Sequence, residues 1–203
     1  MKSFAFILFF LSAFAFTASA SQVVTYNWDG TSDTVLYVYG NGNASIATDT
    51  VHTAPQSLRF EEDPIGGTPQ ACIAWIRDLS DGDEVTASFW VYDTTPQGDN
   101  PKGRIWGHWN DNTNPDSVTT YNGSASGNTT YSTEGWSQLE NTWTVSGGHT
   151  GLVIEARIYS STGANILWFD DLSITAPDGA SFVLPNTQTP LQRNSWGAIK
   201  TSF

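Results

Sequence analysis

The feature that most constrains this 203-residue chain is how often its apolar runs are interrupted. Short stretches rich in β-branched and aromatic residues are cut repeatedly by Gly, Asn, Asp, Pro and Ser. No stretch sustains apolar residues at helical spacing. Many short strands in series predict a sandwich of sheets rather than a helical or α/β domain. The expected strands are Val23–Trp28, Val35–Tyr39, Ser45–Thr50, Gln56–Glu61, Gln70–Leu79, Glu84–Tyr92, Lys102–Trp109, Trp136–Val145, Gly151–Tyr159 and Ile166–Ile174. The fold class is therefore all-β: a two-sheet antiparallel β-sandwich of jelly-roll type over residues 21–176. Asn110–Thr133, rich in Asn, Thr, Ser and Gly, reads as a long loop with one further strand near Ser117–Tyr121. Loops of that length in compact domains are often functional.

The two ends read differently. Lys2, the apolar run Phe4–Phe16 and the small residues Ala18 and Ala20 make residues 1–20 a secretory signal peptide, cleaved after Ala20. The expected product is secreted or displayed at the cell surface, with no membrane insertion after cleavage. Residues 177–203 read as a linker and C-terminal tail. A turn at Ala176-Pro177-Asp178-Gly179 and the segment Pro185–Pro190 precede an end containing Trp196, Ile199 and Phe203. That end is either a loosely docked terminus or a device for attachment or self-assembly.

Charge narrows the partners. The chain carries 8 basic and 20 acidic residues, and losing Lys2 with the leader leaves 7 against 20, a net −13. Nucleic acid and anionic membranes are poor partners for such a surface, and a strongly anionic polysaccharide is disfavoured unless calcium bridges it. Neutral glycans remain open. The single cysteine, Cys72, excludes an intramolecular disulfide, and its setting in Ala71-Cys72-Ile73-Ala74-Trp75-Ile76 predicts a small buried hydrophobe.

Alternation along strands separates core faces from outer ones. Leu152, Ile154, Ala156 and Ile158 form an apolar face, which leaves Glu155, Arg157 and Tyr159 outward. In the same way Arg104, Trp106 and His108 share one face, and Trp90 and Tyr92 oppose the core set Val85, Ala87, Phe89 and Val91. Outer sheet faces usually carry Thr, Lys and Ser. Tryptophan beside Arg, Glu and His instead suits a sugar, whose C–H face packs on an indole while its hydroxyls bond to charged groups. Trp90, Tyr92, Arg104, Trp106, His108, Glu155, Arg157 and Tyr159 are the candidate ligand-binding residues. Trp136 and Trp168 read as core anchors.

Asn165–Ile174 predicts a buried strand interrupted by Asp170-Asp171. An unpaired buried carboxylate is costly, so an inward Asp here suggests a structural calcium ion, a hard cation that prefers oxygen ligands.

Several segments, in order, resemble the β-jelly-roll carbohydrate-binding modules of the galactose-binding-like type. These are Tyr26-Asn27-Trp28-Asp29-Gly30, His52–Phe60, Ala87-Ser88-Phe89-Trp90-Val91, Gly135-Trp136-Ser137-Gln138-Leu139 and Leu167–Ile174. The resemblance spans about Val23 to Thr175. It implies a module of the kind attached to secreted glycoside hydrolases, with a structural Ca²⁺ held by Asp170 or Asp171 and by Asp29, completed by carbonyls near Thr48–Thr50. Ala54-Pro55 stands where these modules usually have a Gly turn.

No catalytic constellation emerges. Glycoside hydrolysis requires two carboxylates flanking the scissile bond, and Glu155 has no evident partner. His108 with Arg104 and Tyr159 is the one set that could imitate a lyase. The expected function is thus non-catalytic binding of a neutral polysaccharide or oligosaccharide. The competing reading is an extracellular structural or adhesive subunit that buries the same aromatics in protein–protein assembly.

Overall fold

The computed structural model describes residues 20–30, 33–160 and 165–185. Residues 1–19 of the expected signal peptide and the expected tail beyond residue 185 lie outside the described residues. Among the described residues twelve strands run in chain order: β1 (Ser21–Tyr26), β2 (Tyr37–Tyr39), β3 (Gly42–Ala47), β4 (Ser57–Glu62), β5 (Gln70–Arg77), β6 (Glu84–Asp93), β7 (Gly103–Trp109), β8 (Ser124–Asn128), β9 (Gly135–Thr144), β10 (Gly151–Ile158), β11 (Ile166–Pro177) and β12 (Ser181–Val183). They form two antiparallel sheets packed as a sandwich. The first is ordered β3-β4-β11-β6-β9 with β1 also paired to β11; the second is β12-β5-β10-β7-β8 with β2 also paired to β5.

Each of the ten expected strands falls on an observed one. Three details differ. β3 begins at Gly42, ahead of the expected Ser45. The strand in the long loop is Ser124–Asn128, not Ser117–Tyr121. The sandwich also continues past Ala176, because Ser181, Phe182 and Val183 pair with Arg77, Ile76 and Trp75 of β5. Gly179 belongs to the turn that returns the chain to the second sheet, so residues 181–183 are not linker.

The core forms where the alternation places it. Val85, Ala87, Phe89 and Val91 of β6 meet Leu152, Ile154, Ala156 and Ile158 of β10, all at 0 % exposure. Phe89 packs edge-on against Phe169, ring centroids 5.2 Å apart. Such pairs add to the area term that dominates a sandwich core.

A β-bulge breaks the period in β5. Ile154 pairs with Ala74 and Glu155 with Cys72, so Ile73 is the extra residue. The bulge lets Ile73 and Ala74 both enter the main core, and it puts Cys72 and Trp75 together on the outer side with Val153. Cys72 is fully buried there, and burial pushes its thiol well above the ordinary range. It is an inert hydrophobe, as expected.

Candidate functional site

The outer face of the second sheet gathers most of the expected residues. Pairing of β7 with β10 sets Arg104 opposite Arg157, Trp106 opposite Glu155 and His108 opposite Val153. Glu155 is the hub. Its Oε1 accepts from His108 Nδ1 and its Oε2 from Arg157 Nε. Arg157 Nη1 donates to the Tyr159 hydroxyl at 2.8 Å. The Arg157 guanidinium lies over the Trp106 ring and that of Arg104 over the Tyr159 ring, each 5.1 Å from the centroid. Trp106 Nε1 donates to Ser124 Oγ of β8 at 3.1 Å.

Three of these residues are not where the sequence puts them. His108 and Glu155 are 0 % exposed and Arg157 only 7 %, although all three stand on an outer sheet face. The segment between β7 and β8 covers part of this face, with Tyr121 against His108, and Trp106 lies over Arg157. Asn110 Nδ2 donates to the Ser117 and Val118 carbonyls, and Asn122 Oδ1 accepts from the Asp111 amide. The asparagines of this loop therefore replace a sheet's ladder with side-chain bonds. The fixed loop lays Val118 on the cluster of Cys72, Trp75 and Val153, which Leu36, Tyr39 and Val183 also cover.

Three tyrosines rim this region, and the sequence reading did not include them. Tyr121 sits 5.2 Å from the His108 ring and stays 57 % exposed. Tyr39 stands 6.1 Å from His108 and donates to the Thr119 carbonyl at 2.7 Å. Tyr37 packs edge-on to Tyr39 at 4.8 Å and is 42 % exposed. Tyr37 and Tyr39 are two apart in one strand, so a shared outer face was legible. Tyr121 carried no periodic signal. Burial, then the neighbouring Cys72 and Glu155, push the Tyr39 hydroxyl up to about 12. Burial also lowers the Arg104 guanidinium from its ordinary value.

Trp90 and Tyr92 do not join this face. They lie on β6, in the first sheet, on the opposite side of the sandwich. Alternation assigns a residue to a face of its own strand but does not say which sheet that strand enters. His52 stacks on Trp90 at 4.0 Å with planes 14° apart, and Trp136 meets His52 edge-on at 5.4 Å. Tyr92 meets Trp136 at 5.4 Å and Trp168 at 5.7 Å. Trp136 and Trp168 are thus half-buried members of an outer aromatic array rather than core anchors. Beside it lies a shallow cavity of about 360 Å³ lined by Trp90, Ser88, Gln138, Asn27 and Asp171 among others.

The three aspartates surround one turn, His52–Gln56. At Asp170-Asp171 one edge of β11 passes from β4, which pairs up to Phe169, to β1, which pairs from Leu172. The ladder to β6 is irregular between Asp170 and Ser173, and Asp171 adopts a φ of 49°. Asp170 Oδ2 accepts from the amides of His52 and Thr53, both at 3.0 Å, and its Oδ1 from the Asp171 amide at 2.8 Å. Asp171 Oδ2 contacts His52 Nδ1 at 2.6 Å and accepts from Thr53 Oγ1 at 2.8 Å. Asp29 Oδ1 accepts from the Gln56 amide at 3.2 Å.

The turn already engages the groups expected to hold calcium. Three N–H groups converge on Asp170, and the Thr50 carbonyl accepts from Ser57 Oγ at 2.6 Å. Burial raises the Asp170 carboxyl above its ordinary value despite those amides. Among the described residues the one group of three potential ligand side chains is Cys72, His108 and Glu155, whose ligand atoms lie within 4.8 Å of one another. There both Glu155 oxygens are already bonded.

No family model matches the sequence, and no curated protein does. Solved structures do. The C-terminal family 22 carbohydrate-binding module of Clostridium thermocellum Xyn10B matches at 14 % identity and a TM-score of 0.50, covering 77 % of this chain and 94 % of that one. A xylan-binding domain of family 22 matches at 13 % identity and the same TM-score and coverage. The CBM22-1 xylan-binding domain of Paenibacillus barcinonensis Xyn10C matches at 14 % identity, TM-score 0.48, over 79 % of this chain and 98 % of that one. At these identities the likeness is one of fold. The chain has the jelly-roll sandwich of carbohydrate-binding modules.

Proposed function

We propose that this protein is a secreted, non-catalytic glycan-binding module whose ligand lies along the outer face of the second sheet. One observation carries the reading. A buried network of Glu155, Arg157 and His108 underlies half-exposed Trp106 and Tyr159, with Tyr37 and Tyr121 standing at the rim. A charge network under an outer face adds little to stability by itself, since desolvation offsets its attraction. It does hold an aromatic platform and its polar neighbours in fixed orientation, which is what recognition of a sugar ring requires. A structural neighbour, the xylan-binding domain of family 22, makes a β-linked pentose or hexose chain the first ligand to try.

The reading is non-catalytic because the groups that could do chemistry are committed. Glu155 is bonded through both oxygens, and His108 is fully buried beneath Tyr121. In the lyase-like set of His108, Arg104 and Tyr159 the histidine is therefore closed to a ligand, and the Tyr159 hydroxyl is engaged by Arg157 Nη1. Secretion rests on the leader pattern of residues 1–20, and no helix among the described residues is long and apolar enough to cross a membrane. Calcium has no part in the proposal, because the aspartates expected to hold it already bind the His52–Gln56 turn.

The test is titration of the mature chain with soluble xylan and β-glucan oligosaccharides, following tryptophan fluorescence. Binding should weaken about tenfold or more when Trp106 is replaced by Ala, as for a central aromatic anchor. Trp90→Ala, on the far sheet, should bind as the parent does. No new reducing ends should appear on prolonged incubation. If Trp90→Ala abolishes binding and Trp106→Ala does not, the site has been put on the wrong sheet. If the protein ignores glycans but self-associates in solution, the assembly reading replaces this one.

A further inference from the structure

Among the described residues the second sheet and its border hold most of the cationic groups of an otherwise acidic chain. Among the described residues there are five Lys and Arg: Arg59, Arg77, Lys102, Arg104 and Arg157. Arg59 lies on the first sheet and pairs with Glu61 at 2.9 Å. Lys102, Arg104 and Arg157 gather at one end of the candidate site, where Arg104 and Arg157 are direct cross-strand partners. Like charges directly opposite on a sheet repel. Glu155 neutralises only Arg157.

Arg104 has no carboxylate partner among the described residues. Its Nη1 donates to the Pro101 and Gly103 carbonyls at 2.6 and 2.7 Å, and its plane rests over Tyr159. Asp93, whose field reaches Arg104, is spent elsewhere. It accepts from the Thr95 amide at 2.7 Å, the Lys102 amide at 3.2 Å and the Tyr131 hydroxyl at 2.5 Å. Arg104 is therefore a guanidinium held in place by two carbonyls and a ring, half-buried, with its remaining edge uncommitted. That arrangement suits a planar carboxylate, which a guanidinium can bind through two parallel hydrogen bonds.

Resting on the glycan-binding reading, we infer that Arg104 reads an acidic substituent, a uronic acid carboxylate carried by an otherwise neutral polysaccharide. The overall charge sets the dilution of that acid. A densely anionic polymer meets a molecule of net −12 and is repelled, whereas an isolated carboxylate meets Arg104 locally. The sequence-level preference for neutral glycans thus holds for the main chain and fails at this one position.

The experiment compares a xylan bearing glucuronic acid branches with the same polymer after reduction of its carboxyl groups to alcohols. The mature protein should bind the acidic polymer about tenfold more tightly, the order of one charge-assisted contact, and added salt should narrow the gap. Arg104→Gln should bring the ratio of the two affinities close to one. Arg59→Gln, on the other sheet, should keep the parent ratio and controls for net charge. Equal binding of both polymers by the parent overturns the inference and leaves the glycan-binding reading standing. Binding of neither polymer overturns both. A ratio that persists in Arg104→Gln, with its folding confirmed by its unfolding transition, also overturns the inference.

Discussion

The two outer faces of this sandwich carry similar residues and treat them in opposite ways. On the first sheet, His52, Trp90, Trp136, Tyr92 and Trp168 pack on one another in stacked and edge-on pairs. The loop between β3 and β4 contributes His52, which stacks on Trp90, and Asp171 at the border holds His52 at 2.6 Å. On the second sheet the charges lie at the bottom and the aromatics at the rim. His108 and Glu155 are fully buried while Tyr37 and Tyr121 remain exposed. The difference comes from the connection between β7 and β8. An asparagine-braced loop there covers part of an outer sheet face, and on that floor Glu155 accepts from both His108 Nδ1 and Arg157 Nε. The aromatics of the first sheet thus pack mainly on one another, whereas those of the second sheet stand over and around a buried charge network.

The sharpest way to break that contrast is to remove the hub. Glu155→Ala leaves Arg157 buried without its partner, and breaking a buried pair in this way costs about 3–5 kcal/mol of unfolding free energy. Glu155→Gln keeps a hydrogen-bonding oxygen and should lose less. Denaturant unfolding measures both. A small loss for Glu155→Ala would mean that the floor is wet and that the two faces are alike.

A second and smaller effect concerns the first sheet's border. Asp170→Ala frees the amides of His52, Thr53 and Asp171 and should cost roughly 2 kcal/mol. The same turn decides the question of calcium. A structural site occupied at a hundred times its dissociation constant would add about 2.7 kcal/mol to stability. The expectation here is an unfolding transition that does not move between calcium and EDTA. A clear upward shift in calcium, lost in Asp170→Ala, would show that the aspartates give up their amides to an ion.

How far the sequence carried this picture can be traced through particular residues. Strand alternation placed Phe89, Ile154 and the rest of the core correctly, because burial on one side of a pleated strand is a local pattern. It also put Arg104, Trp106, Glu155 and Arg157 on one face. It could not assign Trp90 to its sheet, since the order of strands is set by pairing between distant segments. Nor could it foresee that Glu155 would be buried. That depends on a loop whose effect comes from Asn110 and Asn122 bonding across eight or eleven residues, a pattern without periodicity. The paired aspartates were conspicuous in the sequence for a sound reason, a polar break in an apolar strand. Their partners turned out to be backbone amides for Asp170 and the His52 and Thr53 side chains for Asp171, which no composition reveals.

The finest test asks whether the loop covers its floor in solution, and Tyr39 reports on it. Its hydroxyl donates to the Thr119 carbonyl in the loop, and burial with nearby Cys72 and Glu155 pushes it from 10.0 up to about 12. Below pH 10 the group is protonated in both folded and unfolded chains, so it adds no pH dependence. Between about 10 and 12 the unfolded chain loses the proton while the folded chain keeps it. Stability therefore falls as pH rises through that window. Tyr39→Phe removes this contribution along with one hydrogen bond, so the variant should be slightly less stable at pH 8 yet lose stability less steeply above pH 10. Tyr131 is also raised, by burial and by Asp93, and adds the same fall to parent and variant, so it cancels in the difference. Parallel curves for the two proteins would mean that Tyr39 meets water freely, that the loop does not rest on the second sheet, and that the charge network beneath it is open rather than roofed.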